Sequence, residues 1–282
     1  MERLRLILLC ALLSAAGSVP APAHDGSTGT LPGMSAGRTG VEVPVRQGDT
    51  TVLMGRLDAY LETLDRLSLH EACTESDFII GSVADSLLRD RIAVKVYRHF
   101  RQSKVMGSEN VAVYVFDKWF APFRTMFPDL DEFEQAQLYA YVNRNSLIGC
   151  RAQVLKFPDA QGDSLKVPRR HRQSIVYFYS ASCPKCLLLS RDMKKLLDSG
   201  RHRVDVYAIY TGDDEAVWQK YISENLAIRQ TCRTRVHHLR GGDPDFVTAW
   251  AVVQTPRLFL VDRKGVIVGR NLDIKALQRL LK

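Results

Sequence analysis

Cys183-Pro184-Lys185-Cys186 carries the strongest chemical signal in the chain. Two cysteines separated by two residues bring both sulfurs into one helical turn, close enough to form a small disulfide ring. The residues before them, Ser174-Ile175-Val176-Tyr177-Phe178-Tyr179, are a run of β-formers. The residues after them, 184–199, have helical character and end at Gly200. Cys183 would then sit at a helix N-terminus, where orphan backbone N–H groups and the helix dipole favour a thiolate. Pro184 suits the first helical position, because its missing N–H costs nothing there. Lys185 adds a positive charge nearby. The expected chemistry is thiol–disulfide exchange. Cys183 attacks, and a more shielded Cys186 resolves the mixed disulfide.

A second candidate lies at Thr255-Pro256, where a proline opens the strand-like run Arg257 to Asp262. Proline removes a ladder donor, so this placement is unusual. A cis peptide bond would explain it, with Thr255 presenting its backbone to a bound substrate. Competing readings are weaker. The cysteine pair could be a purely structural bridge. It could be half of a zinc site with Cys232, His237 and His238, but no second CxxC or regular histidine spacing completes that set. A peroxidase would need a P-x-x-x-T-x-x-C pocket, which is missing. No metal or cofactor is expected.

The elements that must position these residues read as follows. A hairpin is expected around Asp159-Ala160-Gln161-Gly162, flanked by 154–157 and 164–167. After the strand and helix at the cysteines come a strand at 203–210 and a helix at 214–224. A strand pair around Lys264-Gly265 and a closing helix at 273–281 follow. This order argues an α/β layer fold with a central sheet flanked by helices. Residues 53–149 read instead as an all-α domain of about four helices. Leu57, Tyr60, Leu61 and Leu64 mark one. A long stripe from Phe78 to Phe100, including Leu87, marks another. Val111 to Phe127 is dense in aromatics. Asp131-Glu132-Phe133-Glu134 looks like a capping box. Tyr114, Phe116, Trp119, Phe120 and Phe123 could line a groove, but helical spacing favours core. Arg169-Arg170-His171-Arg172 and Arg229, Arg233, Arg235 and Arg240 read as solvated loops.

The N-terminus bears on the compartment. Arg3 and Arg5, the short apolar run Leu6 to Ala16, and Ala21-Pro22-Ala23 form the three parts of a secretory signal over residues 1–23. The run is shorter than the ~20 apolar residues a spanning helix needs, though an uncleaved anchor remains the competing reading. Residues 24–52, rich in Gly, Ser, Thr and Pro, read as a flexible leader. Export to a periplasmic or cell-envelope location is expected. The balance of 39 Lys and Arg against 31 Asp and Glu, a net charge of +8, then needs no nucleic-acid partner. Beyond Cys10 in the signal, the chain keeps Cys73, Cys150, Cys183, Cys186 and Cys232. Five is odd, so at least one is unpaired or pairs transiently. A Cys73–Cys150 bridge and two buried small side chains are both open.

Together these motifs carry a resemblance. FYSASCPKC and TPRLFLVDRKGVIVGRNLD look like the thioredoxin-like domains of bacterial envelope thiol–disulfide oxidoreductases, the group typified by the cytochrome-maturation thioredoxins. The 159–162 hairpin matches that group's extra N-terminal hairpin. The helical segment, with Ile92-Ala93-Val94-Lys95 and Met106-Gly107-Ser108-Glu109, is similar to helical domains that precede thioredoxin domains in exported proteins of the Bacteroides group. The resemblance implies a thioredoxin fold over 150–282, a catalytic pair at Cys183 and Cys186, and a cis-proline at Pro256. It also implies protein disulfide substrates, a membrane-bound electron donor and a reducing role. Two positions depart from the better-known pattern. Ser182 stands where an aromatic residue usually precedes the first cysteine. Tyr177 stands where classical thioredoxins carry a buried acid six residues before the first cysteine, so a water or another group must relay the proton of Cys186. The alternative from a different class is a binding or scaffold protein built on the same fold, with a vestigial cysteine pair.

Overall fold

The structure, a computed structural model, describes residues 47–242 and 245–281. The expected signal at 1–23, with Cys10, and the expected leader as far as residue 46 lie outside them. The chain forms two compact units, one ending at Val96 and one running from Tyr97 to the C-terminus. No helix among the described residues is long and apolar enough to cross a membrane.

The first unit contains α1 (Gln47–Leu64), α2 (Leu69–Gly81) and the first part of α3 (Ser86–Gln102). Leu53, Leu57, Tyr60, Leu61 and Leu64 recur at helical spacing and are buried. α1 starts inside the segment read as leader. Its first turn is polar and shows no apolar period, and packing of the later stripe carries it. α2 opens with a capping box. The Ser68 hydroxyl accepts from the Glu71 N–H at 3.3 Å, and the Glu71 carboxylate accepts from the Ser68 N–H at 3.0 Å. The stripe read as continuous from Phe78 to Phe100 is broken between α2 and α3. There the Asp85 carboxylate accepts from the Leu88 N–H at 2.7 Å and starts a new helix. Leu87, counted in that stripe, is 71% exposed.

The second unit continues with α4 (Ser108–Val115), a π-helical turn at Phe116–Phe120, and α5 (Leu130–Asn143). The described helical segment therefore holds five α-helices rather than four. Phe116 and Phe120 are buried, Tyr114 and Trp119 half-buried, and Phe123 exposed. Asp129, not Asp131, caps α5 by accepting from the Glu132 N–H at 2.7 Å.

Among the described residues seven strands follow. β1 (Leu155–Pro158) and β2 (Ser164–Val167) form the antiparallel hairpin. β3 (Gln173–Tyr179), β4 (Val204–Tyr210), β5 (Thr234–Arg240), β6 (Arg257–Val261) and β7 (Ile267–Arg270) make one mixed sheet in the order β5-β4-β3-β6-β7. β3, β4 and β5 are parallel, while β6 and β7 run antiparallel. Side chains alternate faces along each strand. Ile175, Tyr177 and Tyr179 of β3 join Val206, Ala208, Leu258 and Leu260 on one face. That face is covered by α6 (Pro184–Leu197), α7 (Glu215–Tyr221) and α9 (Ile274–Leu280) through Cys186, Met193, Trp218 and Leu277. Val176, Phe178, Tyr207 and Phe259 fill the other face with Phe157 and Trp250. β3 and β4 are therefore buried on both faces and are largely apolar, apart from Gln173 and Ser174 in β3 and Asp205 in β4.

Two elements were not expected from the sequence: β5 and the short α8 (Phe246–Ala249). β5 is an edge strand of sequence TRVHHLR. Only Thr234, Val236 and Leu239 are buried, so its charges masked the pattern. Arg235 and Arg240 thus lie in a strand, not in a solvated loop. Arg240 sits over the Trp218 ring, 5.8 Å from its centre.

Candidate functional site

β3 is central, buried and hydrogen-bonded on both sides, so it delivers the chain rigidly to the start of α6. Cys183 is the N-cap of that helix, with Pro184 at its first position. Extended backbone at Cys183 turns its side chain back over the helix end. Its sulfur accepts from the Cys186 N–H at 3.2 Å. A cysteine here does what serine or aspartate does at other helix starts. It is half-buried and reachable, whereas Cys186, on the inner side of the first turn, is buried.

The two sulfurs are accordingly unequal. Partial burial of Cys183 opposes its ionisation. Hydrogen bonds from Cys186, from the Thr255 side chain and from the Lys185 backbone N–H outweigh that and hold the thiol below its ordinary value. Lys185 thus contributes its amide, and its side chain is exposed. Burial, reinforced by the neighbouring Cys183, pushes the Cys186 thiol up to about 11. The Thr255–Pro256 peptide bond is cis, and both residues are half-buried. The Cys183 thiol donates to the Thr255 carbonyl at 3.5 Å. Cys183, Cys186 and Thr255 therefore converge on one spot, with Pro184 and Pro256 beside them. Ser182, next to Cys183, is exposed and pairs its hydroxyl with Ser180 at 3.0 Å.

Beneath Cys186 lies a group of side chains that sequence reasoning did not assemble. The Tyr177 hydroxyl donates to the Cys186 carbonyl at 3.0 Å and lies 3.1 Å from the Ser190 hydroxyl. Ser190 in turn lies 2.9 Å from the Tyr221 hydroxyl. Tyr179 stacks on Tyr177 and on Tyr221, with ring centres 5.3 and 5.0 Å apart, and accepts from the Trp218 indole at 3.0 Å. Burial raises the Tyr177 and Tyr179 hydroxyls far above the usual phenol range. A usable signal was present: Tyr177 and Tyr179 share a strand face, and Ser190 is one helical turn from Cys186.

The remaining candidates do not join the site. Cys73 lies on α2 in the first unit and Cys150 in the second. The Cys150 thiol contacts the Arg144 carbonyl at 3.7 Å. Cys232 is exposed. His237 stacks on Tyr207 at 5.2 Å, and burial pushes His238 down to about 4. Among the described residues no group of three or more His, Cys, Asp or Glu is placed to hold a metal ion.

The architecture has a match among solved structures. A thioredoxin-like protein from Bacteroides caccae superposes with a TM-score of 0.61 at 14% identity, over 81% of this chain and 82% of that one. The chain has a thioredoxin fold, preceded by helices. The thioredoxin domain of a thiol-disulfide oxidoreductase from Bacteroides vulgatus matches with a TM-score of 0.41 at 21% identity, over 47% of this chain and 93% of its own. A thiol:disulfide interchange protein from a Bacteroides species gives 0.41 at 22%, over 48% and 88%. No protein-family model and no curated protein sequence matches the chain.

Proposed function

We propose that the chain is an exported protein thiol–disulfide oxidoreductase that works as a reductant through Cys183 and Cys186. The observation that carries the reading is the inequality of the two sulfurs. One is reachable, held at a helix N-terminus and ready to ionise. The other is buried and stays a thiol up to about 11. A purely structural bridge needs no such difference.

The chemistry balances without a metal or cofactor. The Cys183 thiolate attacks one sulfur of a client disulfide. A Cys183–client disulfide forms, the client S–S bond breaks, and its other sulfur leaves as a thiolate that takes up a proton. Cys186 then attacks the Cys183 sulfur, forming the Cys183–Cys186 disulfide and releasing the client's second thiol. Two electrons pass from the dithiol to the client. Thr255 and Pro256 would hold the client backbone beside Cys183. Pro184 and Lys185 set the helix end that stabilises the thiolate. A membrane-bound donor would return the electrons. The signal-like residues 1–23 support a periplasmic or envelope location. In this reading residues 53–149 form the helical part and 150–282 the redox part.

The test is reduction of insulin or a comparable disulfide protein by the mature chain. Wild type turns over with dithiothreitol, and Cys183→Ser loses that turnover because the attacking thiolate is gone. Equal rates for wild type and variant refute the reading and leave a scaffold with an inert cysteine pair.

A further inference from the structure

The hydroxyl groups under Cys186 have a direction, and hydrogen counting fixes it. A tyrosine or serine hydroxyl has one proton to give. Tyr177 gives its proton to the Cys186 carbonyl, which can only accept. In the 3.1 Å contact with Ser190, Tyr177 must therefore be the acceptor and Ser190 the donor. The Ser190 proton is then used, so Tyr221 must be the donor in the 2.9 Å contact that follows. The chain runs one way: Tyr221 to Ser190 to Tyr177 to the Cys186 carbonyl. Tyr177 and Ser190 are fully buried and Tyr221 nearly so.

Two consequences concern Cys186. Its carbonyl already takes the helical N–H of Ser190, four residues on. The Tyr177 hydroxyl is a second donor to the same oxygen, reaching from the central strand. It ties the first turn of α6 to β3 at the residue whose sulfur must move onto Cys183. In addition, no proton of the three hydroxyls is left to point at the Cys186 sulfur. The ring stack of Tyr177 on Tyr179 holds the donor in place.

We propose that Tyr177 is a positioning residue for the resolving thiol: through this one-way hydroxyl chain it holds the first turn of α6 at the depth from which Cys186 reaches the Cys183–client disulfide, while giving the Cys186 sulfur no hydroxyl donor. The inference rests on the thiol-exchange reading above. It assigns the resolving step a proton balance that uses no base beneath the site. The Cys186 S–H loses its proton as the Cys183–Cys186 bond forms, and the departing client thiolate takes that proton as its bond to Cys183 breaks. The hydroxyl chain is neutral and fully committed, so it neither accepts the proton nor returns it.

The experiment separates the two steps. Tyr177→Phe removes one oxygen and keeps the ring. In wild type and variant, Cys183 reactivity is read by iodoacetamide alkylation. Resolution is read by preloading Cys183 with a thionitrobenzoate mixed disulfide and following release of the coloured thiol. The expected result is unchanged alkylation with release slower by about tenfold, the scale of one neutral hydrogen bond. Ser190→Ala should slow release less, and Tyr221→Phe least, because each lies one link further from the carbonyl. The carbonyl ¹³C resonance of Cys186 should move upfield in Tyr177→Phe, which reads the bond independently of activity. Equal release in wild type and Tyr177→Phe, or equal loss in both steps, overturns the positioning role while leaving exchange intact. A wild type that neither alkylates at Cys183 nor releases the thiol overturns the exchange reading and this inference together.

Discussion

The potential of the Cys183–Cys186 pair should depend on pH in a way set by the different placement of the two sulfurs. Reducing the disulfide takes two electrons and as many protons as the product thiols keep. Each proton contributes about 30 mV per pH unit to a two-electron couple. Below the Cys183 titration both thiols are protonated, so the slope is about 60 mV per pH unit. Above it only Cys186 keeps its proton, and the slope falls to about 30 mV per pH unit. The first bend should lie below the ordinary thiol value, because hydrogen bonds at the helix N-terminus outweigh partial burial at Cys183. The second should not appear until about 11, where burial has moved Cys186. A rise of that size disfavours the Cys186 thiolate by about 2–3 kcal/mol. The sign also holds for stability. Cys186 supports the reduced fold below the ordinary thiol value, and that contribution is lost as pH rises toward about 11. The assay equilibrates the protein with dithiothreitol couples from about pH 6 to about pH 10, traps with acid, and weighs the peptide that carries both cysteines. Trapping by peptide keeps Cys73, Cys150 and Cys232 out of the signal. A first bend at or above the ordinary thiol value, or a second bend inside the measured range, would refute the assignment of attacking and resolving roles.

Two further outcomes test the frame that holds the site. Asp205 and Arg172 are nearly buried and lie 2.7 Å apart, unaligned for a hydrogen bond, so their attraction is chiefly coulombic; Asp205→Asn should cost about 3 kcal/mol by leaving the guanidinium uncompensated, read as a lower urea midpoint at constant slope. Leu277 is fully buried between α9 and the sheet face that also carries Cys186; Leu277→Ala should cost about 2–5 kcal/mol in the same measurement and leave the Cys183 alkylation rate unchanged.

Legibility in the sequence followed burial. β3 and β4 are covered on both faces, so their apolar runs marked them without help from neighbours. α6 announced itself because its start is chemical as well as structural, with a capping cysteine and a proline at the first position. β5 was hidden because it is an edge strand, and its exposed side is free to carry Arg235. The break between α2 and α3 was hidden because apolar residues on both sides kept a helical spacing across it. What ended the stripe was a capping carboxylate at Asp85, a local bond that periodicity does not register. The start of α5 slipped for a related reason: Asp129 and Asp131 are both good caps, and it is Asp129 that accepts from the Glu132 N–H.

The inequality of the two cysteines begins with where the helix starts. Residues three apart lie on one side of a helix, which is what brings the two sulfurs together. Cys183, as the N-cap, lies half outside the helix and is half-buried, whereas Cys186, one turn in, is buried in the cluster that covers the sheet. The neighbours then widen the difference. The helix end supplies the Cys186 and Lys185 N–H groups that favour a thiolate at Cys183. The sheet supplies Tyr177, whose single proton is spent on the Cys186 carbonyl. A carboxylate at position 177 would bring a charge and a titration under the resolving thiol, whereas a phenol raised far above its usual range brings neither. The tyrosine at 177, which departs from the pattern of better-known thioredoxins, is therefore consistent with a site whose proton traffic runs through its mouth, between Cys186 and the departing client sulfur.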